Sequence, residues 1–210
     1  MPLDPDRRLV LAHSPAPVRP ALEALWRLDV AFGAVLATGR EPMITRIRLA
    51  WWREALEKLD REAPPPEPVL QALAAHVVPA VSGAELAAME EGWSVLLSDD
   101  PLAVHGAARG GLLFRYTARL LGASAPVEPA GARWALIDLA RRTADPAEAR
   151  AALEAAGRID VAATWPRALR PLGMLTMLAG RDIERGAGAW ERQGSPARML
   201  RLLRHRLTGC

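Results

Sequence analysis

The sequence predicts an all-α protein, a single domain of antiparallel helices that spans residues 1–210 and contains about nine helices. Half of the 210 residues are hydrophobic, which is enough to bury a substantial core. Ala, Leu and Arg dominate while Val and Ile are sparse, a composition that favours helix over strand. Apolar residues recur at spacings of three and four, and the segments that carry them end at Pro- or Gly-containing breaks.

Each predicted helix is bounded by such local signals. We expect residues 1–14 to be irregular apart from a short helical turn at 9–13. Ser82 and Glu85 form a capping-box pattern, and Asp100, Asp145 and Ser195 each precede a proline as expected for N-caps. The predicted helices cover residues 18–38, 42–61, 69–78, 82–98, 101–121, 130–143, 146–157 and 165–185, and a last helix follows Ser195.

The second predicted helix carries two adjacent tryptophans, Trp51 and Trp52. Trp51 belongs to an apolar stripe and Trp52 to an adjoining apolar line, and adjacent side chains point about 100° apart on a helix. We therefore expect this helix to be covered on more than one side. Two interpretations stay open. The pair lies in the core, with the aliphatic parts of Arg48 and Arg53 packed over it, or it forms one wall of a large apolar cavity with basic groups at its mouth. The stripe is Ile44, Ile47, Trp51, Ala55 and Leu59, and the adjoining line is Leu49, Trp52 and Leu56.

One acidic residue, Asp29, interrupts the apolar stripe of the first long helix. Gly33 and Ala37 follow it on the same helical line, so that line offers a carboxylate and then small residues. A buried carboxylate needs a partner or a raised pKa, and we expect Arg48 on the next helix to be that partner. A structural ion pair and a functional carboxylate both remain open.

A second carboxylate of interest is Asp138, which precedes Arg141 and Arg142 by three and four residues. This spacing predicts local salt bridges on one helix face.

Three glycines, Gly106, Gly110 and Gly111, lie within one predicted helix. Because glycine destabilises a helix interior, their clustering indicates that another helix or a ligand approaches this backbone closely.

Charge and composition exclude several classes of function. The net charge is only +3 and the charges are interspersed, so we expect no nucleic-acid partner. The single cysteine, Cys210, excludes an intrachain disulfide and a cysteine metal site. We expect a cytoplasmic protein, because no signal-peptide pattern and no apolar run of membrane-spanning length is present. Its basic, amphipathic last helix leaves peripheral contact with a membrane face open. The histidines, His13, His76, His105 and His205, are scattered and predict no zinc site.

Three segments carry a family resemblance: Ala-Leu-Trp-Arg-Leu-Asp at 24–29, Ile-Arg-Leu-Ala-Trp-Trp-Arg-Glu-Ala-Leu at 47–56, and Gly-Ala-Ala-Arg-Gly-Gly-Leu-Leu at 106–113. Together they resemble the squalene/phytoene synthase family, the all-α head-to-head prenyl synthases. The second is similar to that family's Arg-Leu-x-Trp-Trp segment. The similarity extends over residues 8–143 and implies an isoprenoid (terpenoid) synthase fold that is shortened at its C-terminal end.

The catalytic motifs of that family are not matched. Its members hold Mg²⁺ on two Asp-rich helical segments, and the metal neutralises the departing diphosphate. The first segment would fall at Gly33, Ala34 and Ala37, which are apolar, and Thr143 stands in place of the first Asp of the second. The resemblance thus implies a degenerate member without catalytic residues, metal or other cofactor, similar to the branch that serves as a complex I assembly factor.

Three hypotheses for function follow. The first is a non-catalytic protein that binds an isoprenoid or lipid, or that acts through a protein partner in respiratory complex assembly. The second is an active prenyltransferase whose Mg²⁺ site is displaced to Asp29, Asp138 and Asp145, and the third is a plain helical interaction domain. The candidate cavity or ligand-binding residues are Asp29, Gly33, Arg48, Trp51, Trp52, Gly110 and Asp138.

Overall fold

The structure, a computed structural model, describes residues 2–39 and 41–209. Within these ranges the chain forms ten helices and no strand. The prediction of an all-α bundle with about nine helices is therefore confirmed. The helices are α1 (Pro5–His13), α2 (Arg19–Thr38), α3 (Pro42–Lys58), α4 (Pro68–His76), α5 (83–97), α6 (102–120), α7 (Glu128–Arg142), α8 (Pro146–Gly157), α9 (Arg170–Arg185) and α10 (Pro196–Thr208).

Two of these helices are irregular. Helix α5 alternates α-helical turns, Gly83–Ala87 and Glu91–Ser94, with the 3₁₀ turns Ala88–Glu90 and Val95–Leu97. Helix α6 has a π-helical stretch, His105–Gly111, between α-helical ends. Such stretches are frequent at functional sites, and both helices border the cavity described below.

Local signals set most helix ends. The Ser82–Glu85 capping box is present, and Asp145 and Ser195 accept hydrogen bonds from backbone N–H groups as predicted. The cap predicted at Asp100 is wrong, because α6 begins without any side-chain cap. The irregular N-terminus was also wrongly predicted: Asp4 accepts from the Arg7 N–H, and Pro5 suits the first helical turn, so α1 begins at Pro5.

A contiguous hydrophobic core receives side chains from all ten helices. Helix α2 runs through it, with Leu22, Leu25, Leu28 and Phe32 fully buried. Trp26 is also buried and donates its indole N–H to Thr117 at 3.0 Å. No helix in the described part of the chain is long and apolar enough to cross a bilayer.

Helix α3 packs with a different line of residues from the one expected. Leu49 and Leu56 are fully buried, whereas Ile44, Ile47 and Trp51 are about half exposed or more. The predicted burial of the stripe is therefore wrong for its first three members, although Ala55 and Leu59 are buried. The reason is that α3 contacts α2 and α5 through the adjoining line, which leaves the first part of the stripe facing solvent.

Helices α6 and α7 approach each other at glycines. A Cβ atom added to Gly110 would collide with the carbonyl oxygen of Gly131, and one added to Gly131 would collide with the carbonyl oxygen of Gly110. Gly106 and Gly111 also face α7. The predicted close approach is confirmed, and the approaching element is a helix.

Candidate functional site

A cavity of about 650 Å³ lies among α2, α5, α6, α7 and the first turn of α8. This volume is in the range of small-molecule pockets, roughly 300–1,000 Å³. Charged groups lie at one end, where Arg7, Asp29 and Arg109 meet the cavity, and Arg142 and Glu148 also border it. The rest of its lining is largely apolar: Val30, Ala34, Leu36, Ala37, Leu96 and Leu139, with Trp93 and Gly33.

The central charged residue of the site is Arg109, a fully buried arginine on the π-helical stretch of α6. Its Nε donates to Asp29 Oδ1 at 2.8 Å, and its Nη2 donates to Asp29 Oδ2 at 3.0 Å. The same Nη2 donates to Asp138 Oδ2 at 2.5 Å. The guanidinium also lies 4.1 Å from the ring centroid of Trp93. One cation therefore bridges carboxylates from two different helices, α2 and α7.

A second buried guanidinium, that of Arg7 on α1, contacts the same carboxylates. Its Nη1 lies 3.1 Å from Asp29 Oδ2, and its Nη2 lies 3.5 Å from Asp138 Oδ2. Its Nε lies 2.9 Å from Asp4 Oδ2. Arg142 completes the cluster with its Nε 2.9 Å from Asp138 Oδ2. Three arginines thus face three aspartates, and their formal charges cancel.

The cluster keeps its buried carboxylates ionised. Burial by itself would raise the pKa of Asp29 and of Asp138, but the positive charges of Arg109 and Arg7 outweigh burial and hold both pKa values below the ordinary range. Burial would lower the pKa of Arg109, yet Asp29 and Asp138 together raise it. The three arginines and three aspartates therefore form one ionic network in which each charged group pairs with another member.

His105 lies beside this network, one helical turn before Arg109. Its Nδ1 is 2.5 Å from the Gly92 carbonyl oxygen, and its Nε2 is 3.3 Å from Arg109 Nη1. Since the carbonyl accepts and the guanidinium donates, this geometry fits the neutral tautomer with its proton on Nδ1. Burial and the charge of Arg109 lower the pKa of His105 to about 4.

The structure brings together three of the predicted site residues. Asp29 and Gly33 line the cavity, and Asp138 meets Asp29 through Arg109. The predicted local salt bridge from Asp138 to Arg142 is confirmed, whereas Arg141 reaches Asp182 at 3.1 Å instead.

The other predicted site residues lie elsewhere. Arg48 donates to Thr38 Oγ1 at 3.2 Å, so its predicted pairing with Asp29 is wrong: Arg109 and Arg7 reach that carboxylate from α6 and α1. Gly110 is packed against α7 and is absent from the cavity lining.

The tryptophan pair does not border the 650 Å³ cavity, so the interpretation of Trp51 and Trp52 as a wall of that cavity is wrong. Trp52 packs edge-on against Phe32, with ring centroids 6.1 Å apart, and Trp51 packs edge-on against Trp52 at 5.5 Å. Both rings border separate surface grooves. The physical reason is the rotation of α3, which presents Leu49 and Leu56 to the core in place of Trp51.

Sequence reasoning missed Arg7, Trp93 and Arg109. Arg109 had a detectable signal, since it is a lone charge in a stretch of Gly and Ala residues between two apolar segments. Trp93 had the weaker signal of a helical apolar position, and Arg7 had none, because α1 was not predicted as a helix that docks on the core.

The side chains present do not fit the Mg²⁺ ions of the family that the sequence resembles. Mg²⁺ is held by carboxylate oxygens, and Asp29 and Asp138 are occupied by guanidinium groups. Asp145 caps α8 by accepting from the Ala147 N–H at 2.8 Å, and Glu148 accepts a hydrogen bond from Thr143. Among the described residues, no group of three or more His, Cys, Asp or Glu side chains is placed to hold a metal ion.

Comparisons of the chain with protein-family models, with curated proteins and with solved structures gave no match.

Proposed function

We propose that this chain is a squalene/phytoene synthase-like protein that binds an isoprenoid or a related lipid in the cavity without converting it. The observation that supports this proposal is the bridge from Asp29 through Arg109 to Asp138 at one end of an apolar cavity. In the family that the sequence resembles, carboxylates on facing helices bind a metal. Here the positions that match those motifs carry no clustered carboxylates, and the guanidinium of Arg109 lies between the carboxylates of Asp29 and Asp138 on two other turns of the same helices.

The ionic network argues against diphosphate chemistry. Ionisation of an allylic diphosphate needs preorganised positive charge at the departing group. The positive charges of Arg7, Arg109 and Arg142 are already matched by Asp4, Asp29 and Asp138. Turning these arginines toward a diphosphate would leave the buried carboxylates without a counter-charge, which costs free energy. An active prenyltransferase with a displaced metal site is thus the less favoured alternative.

The lining of the cavity favours a hydrocarbon ligand. Its lining includes Val, Leu and Ala side chains, and along α2 Ala34 and Ala37 are small while Gly33 packs against the ring of Trp93. Burying an apolar chain against such a surface gains about 25 cal/mol per Å² removed from water. A prenyl chain or acyl chain can therefore bind without a metal-held diphosphate.

Calorimetric titration of the purified chain with farnesol and with farnesyl diphosphate, each with and without Mg²⁺, tests the proposal. We expect both to bind, with little dependence on Mg²⁺, and no product in a parallel assay with radiolabelled farnesyl or geranylgeranyl diphosphate. Ala37→Trp places an indole at an exposed position on the border of the cavity and should weaken binding. Ala50→Trp, at an exposed position on α3, is the matched control and should bind normally.

Two results would overturn this view. Mg²⁺-dependent product that disappears in Asp29→Ala would establish the active prenyltransferase. Absence of binding by every isoprenoid tested would favour the plain helical interaction domain.

A second candidate function is contact with a protein partner in respiratory complex assembly, and the surface of α3 favours it. Met43, Ile44, Ile47 and Trp51, the α3 apolar stripe, are large side chains that remain exposed on successive turns. Contiguous apolar surface of this kind is typical of interaction sites. Replacing Ile47 and Trp51 by Glu in the native gene should reduce the amount of assembled complex I on native gels. Unchanged assembly would exclude this role for α3.

A further inference from the structure

Helix α10 presents an apolar stripe to solvent. Leu200 and Leu207 are 68% and 70% exposed, and Met199 and Leu203 are nearly half exposed. With 100° between successive residues, these four side chains lie along one side of the helix. We call them the α10 apolar stripe.

The opposite side of α10 anchors the helix to the protein. Arg198 is buried, with its Nε 3.0 Å from Asp6 Oδ2 and its Nη1 2.9 Å from Asp182 Oδ1. Leu202 and His205 are also buried on this side. The orientation of the stripe is therefore fixed by the fold, and no ordering of the helix is needed before it contacts a partner.

The charges around the α10 apolar stripe are positive. Residues 196–208 contain no Asp or Glu, and the exposed residues Arg204 and Arg206 lie on opposite flanks of the stripe. Arg201, further round the helix, pairs with Glu191 at 3.1 Å. At the end of the helix Arg170 donates to the carbonyl oxygens of Arg206 and Leu207, which adds another cation near the surface.

We propose that α10 binds in the plane of an anionic lipid bilayer surface. Its leucines and methionine would enter the boundary between headgroups and acyl chains, while Arg204 and Arg206 would contact lipid phosphates and acidic headgroups. An apolar stripe bordered on both sides by arginines matches a bilayer interface, where the apolar and anionic layers are adjacent. Arginines also flank the α3 apolar stripe, but Arg46 donates to the Leu97 carbonyl oxygen and Arg48 to Thr38 Oγ1. Acidic side chains, Glu54 and Glu57, also continue the line of that stripe along α3, whereas α10 has none.

Flotation of the 210-residue chain with lipid vesicles tests this proposal, which is independent of the cavity ligand. We expect binding to phosphatidylcholine vesicles that contain phosphatidylserine, little binding to phosphatidylcholine alone, and weaker binding as salt is added. Leu200→Gln with Leu207→Gln should lower partitioning on the order of tenfold or more. Arg204→Gln with Arg206→Gln should remove the preference for anionic vesicles.

Matched controls separate this surface from the rest of the molecule. Ile44→Gln with Ile47→Gln makes the same kind of change on α3 and should leave vesicle binding intact. Ala37→Trp, on the border of the cavity, should also bind vesicles normally, so loss of ligand binding and loss of membrane binding are distinguishable. Circular dichroism confirms that each variant is folded.

Three results would overturn the proposal. The first is a protein that does not float with anionic vesicles. The second is equal flotation of the wild type and the Leu200/Leu207 variant. The third is a wild type that self-associates in light scattering and an α10 variant that loses this association, because a second copy of the chain would then cover the stripe.

Discussion

Arg109 of α6 donates two parallel hydrogen bonds to Asp29 of α2, from Nε to Oδ1 at 2.8 Å and from Nη2 to Oδ2 at 3.0 Å. Both side chains are fully buried. Bidentate pairs of this type are strong and fix the relative orientation of the two groups. The same guanidinium reaches Asp138 of α7, so a single side chain connects three helices at the end of the cavity. The stability of the bundle and the shape of the cavity are therefore coupled through Arg109.

Removing this cation should be strongly destabilising. We expect Arg109→Met to lower the free energy of unfolding by about 3–5 kcal/mol, because Asp29 and Asp138 would stay buried with less compensation. Urea denaturation measures the change. Arg119→Met, on the same helix but about half exposed with Glu85 as its partner, should cost less than about 1 kcal/mol. Similar losses in the two variants would contradict a special role for Arg109.

The contact between α6 and α7 makes a prediction about glycine. Gly110→Ala should destabilise the protein by about 1–3 kcal/mol, because the added methyl group collides with the backbone at Gly131. Gly180→Ala, in α9, is the control: nothing lies within 4 Å of the new Cβ, and we expect a gain of about 0.5–1 kcal/mol. Thermal and urea unfolding measure the change in stability of each variant. A neutral Gly110→Ala would show that the helices separate easily.

The buried His105 should make stability depend on pH. The folded protein keeps this imidazole neutral down to a pKa of about 4, whereas in the unfolded chain it takes up a proton near its ordinary pKa of 6.5. The unfolded state therefore binds more protons between these values, so stability falls as the pH is lowered from about 6.5 to 4, by about 3 kcal/mol in total.

Substitution isolates this contribution of His105. His105→Asn keeps a donor for the Gly92 carbonyl oxygen but cannot titrate, so its free energy of unfolding should change less over the same pH range. His76→Asn, at an exposed position, should follow the wild-type pH dependence. Urea titrations at several pH values provide the comparison, and identical slopes for wild type and His105→Asn would refute the assignment.

The loss of stability on replacing a tryptophan should depend on how deeply its ring is buried. Trp26→Ala removes a buried ring and its hydrogen bond to Thr117, and we expect a loss of about 3–5 kcal/mol. Trp51→Ala, at a half-exposed position, should cost less than about 1 kcal/mol. Chemical denaturation of both variants tests this order. A large loss at Trp51 would mean that α3 depends on the Trp51–Trp52 contact for its position.

The relation between sequence and site differs from residue to residue. Asp29 and Asp138 were recognisable as carboxylates on apolar helix faces, and the structure brings them together. Their shared partner was not recognisable, because Arg109 lies 80 residues from Asp29 along the chain and no local spacing connects them. Arg48 was the expected partner because it lay on the neighbouring helix, yet neighbouring helices need not present the relevant faces to each other.

The sequence by itself determined the helical class, most helix ends and the close approach at Gly110, because caps, prolines, glycines and apolar periodicity act within a few residues. Only the tertiary structure decided which apolar line of α3 is buried, which arginines neutralise Asp29, and that the cavity is bordered by Trp93 instead of Trp51 and Trp52. The physical reason is that α3 has more apolar surface than its neighbours can cover. The rotation of that helix, and with it the choice of partners for each charge, depends on packing between helices that are distant in the chain.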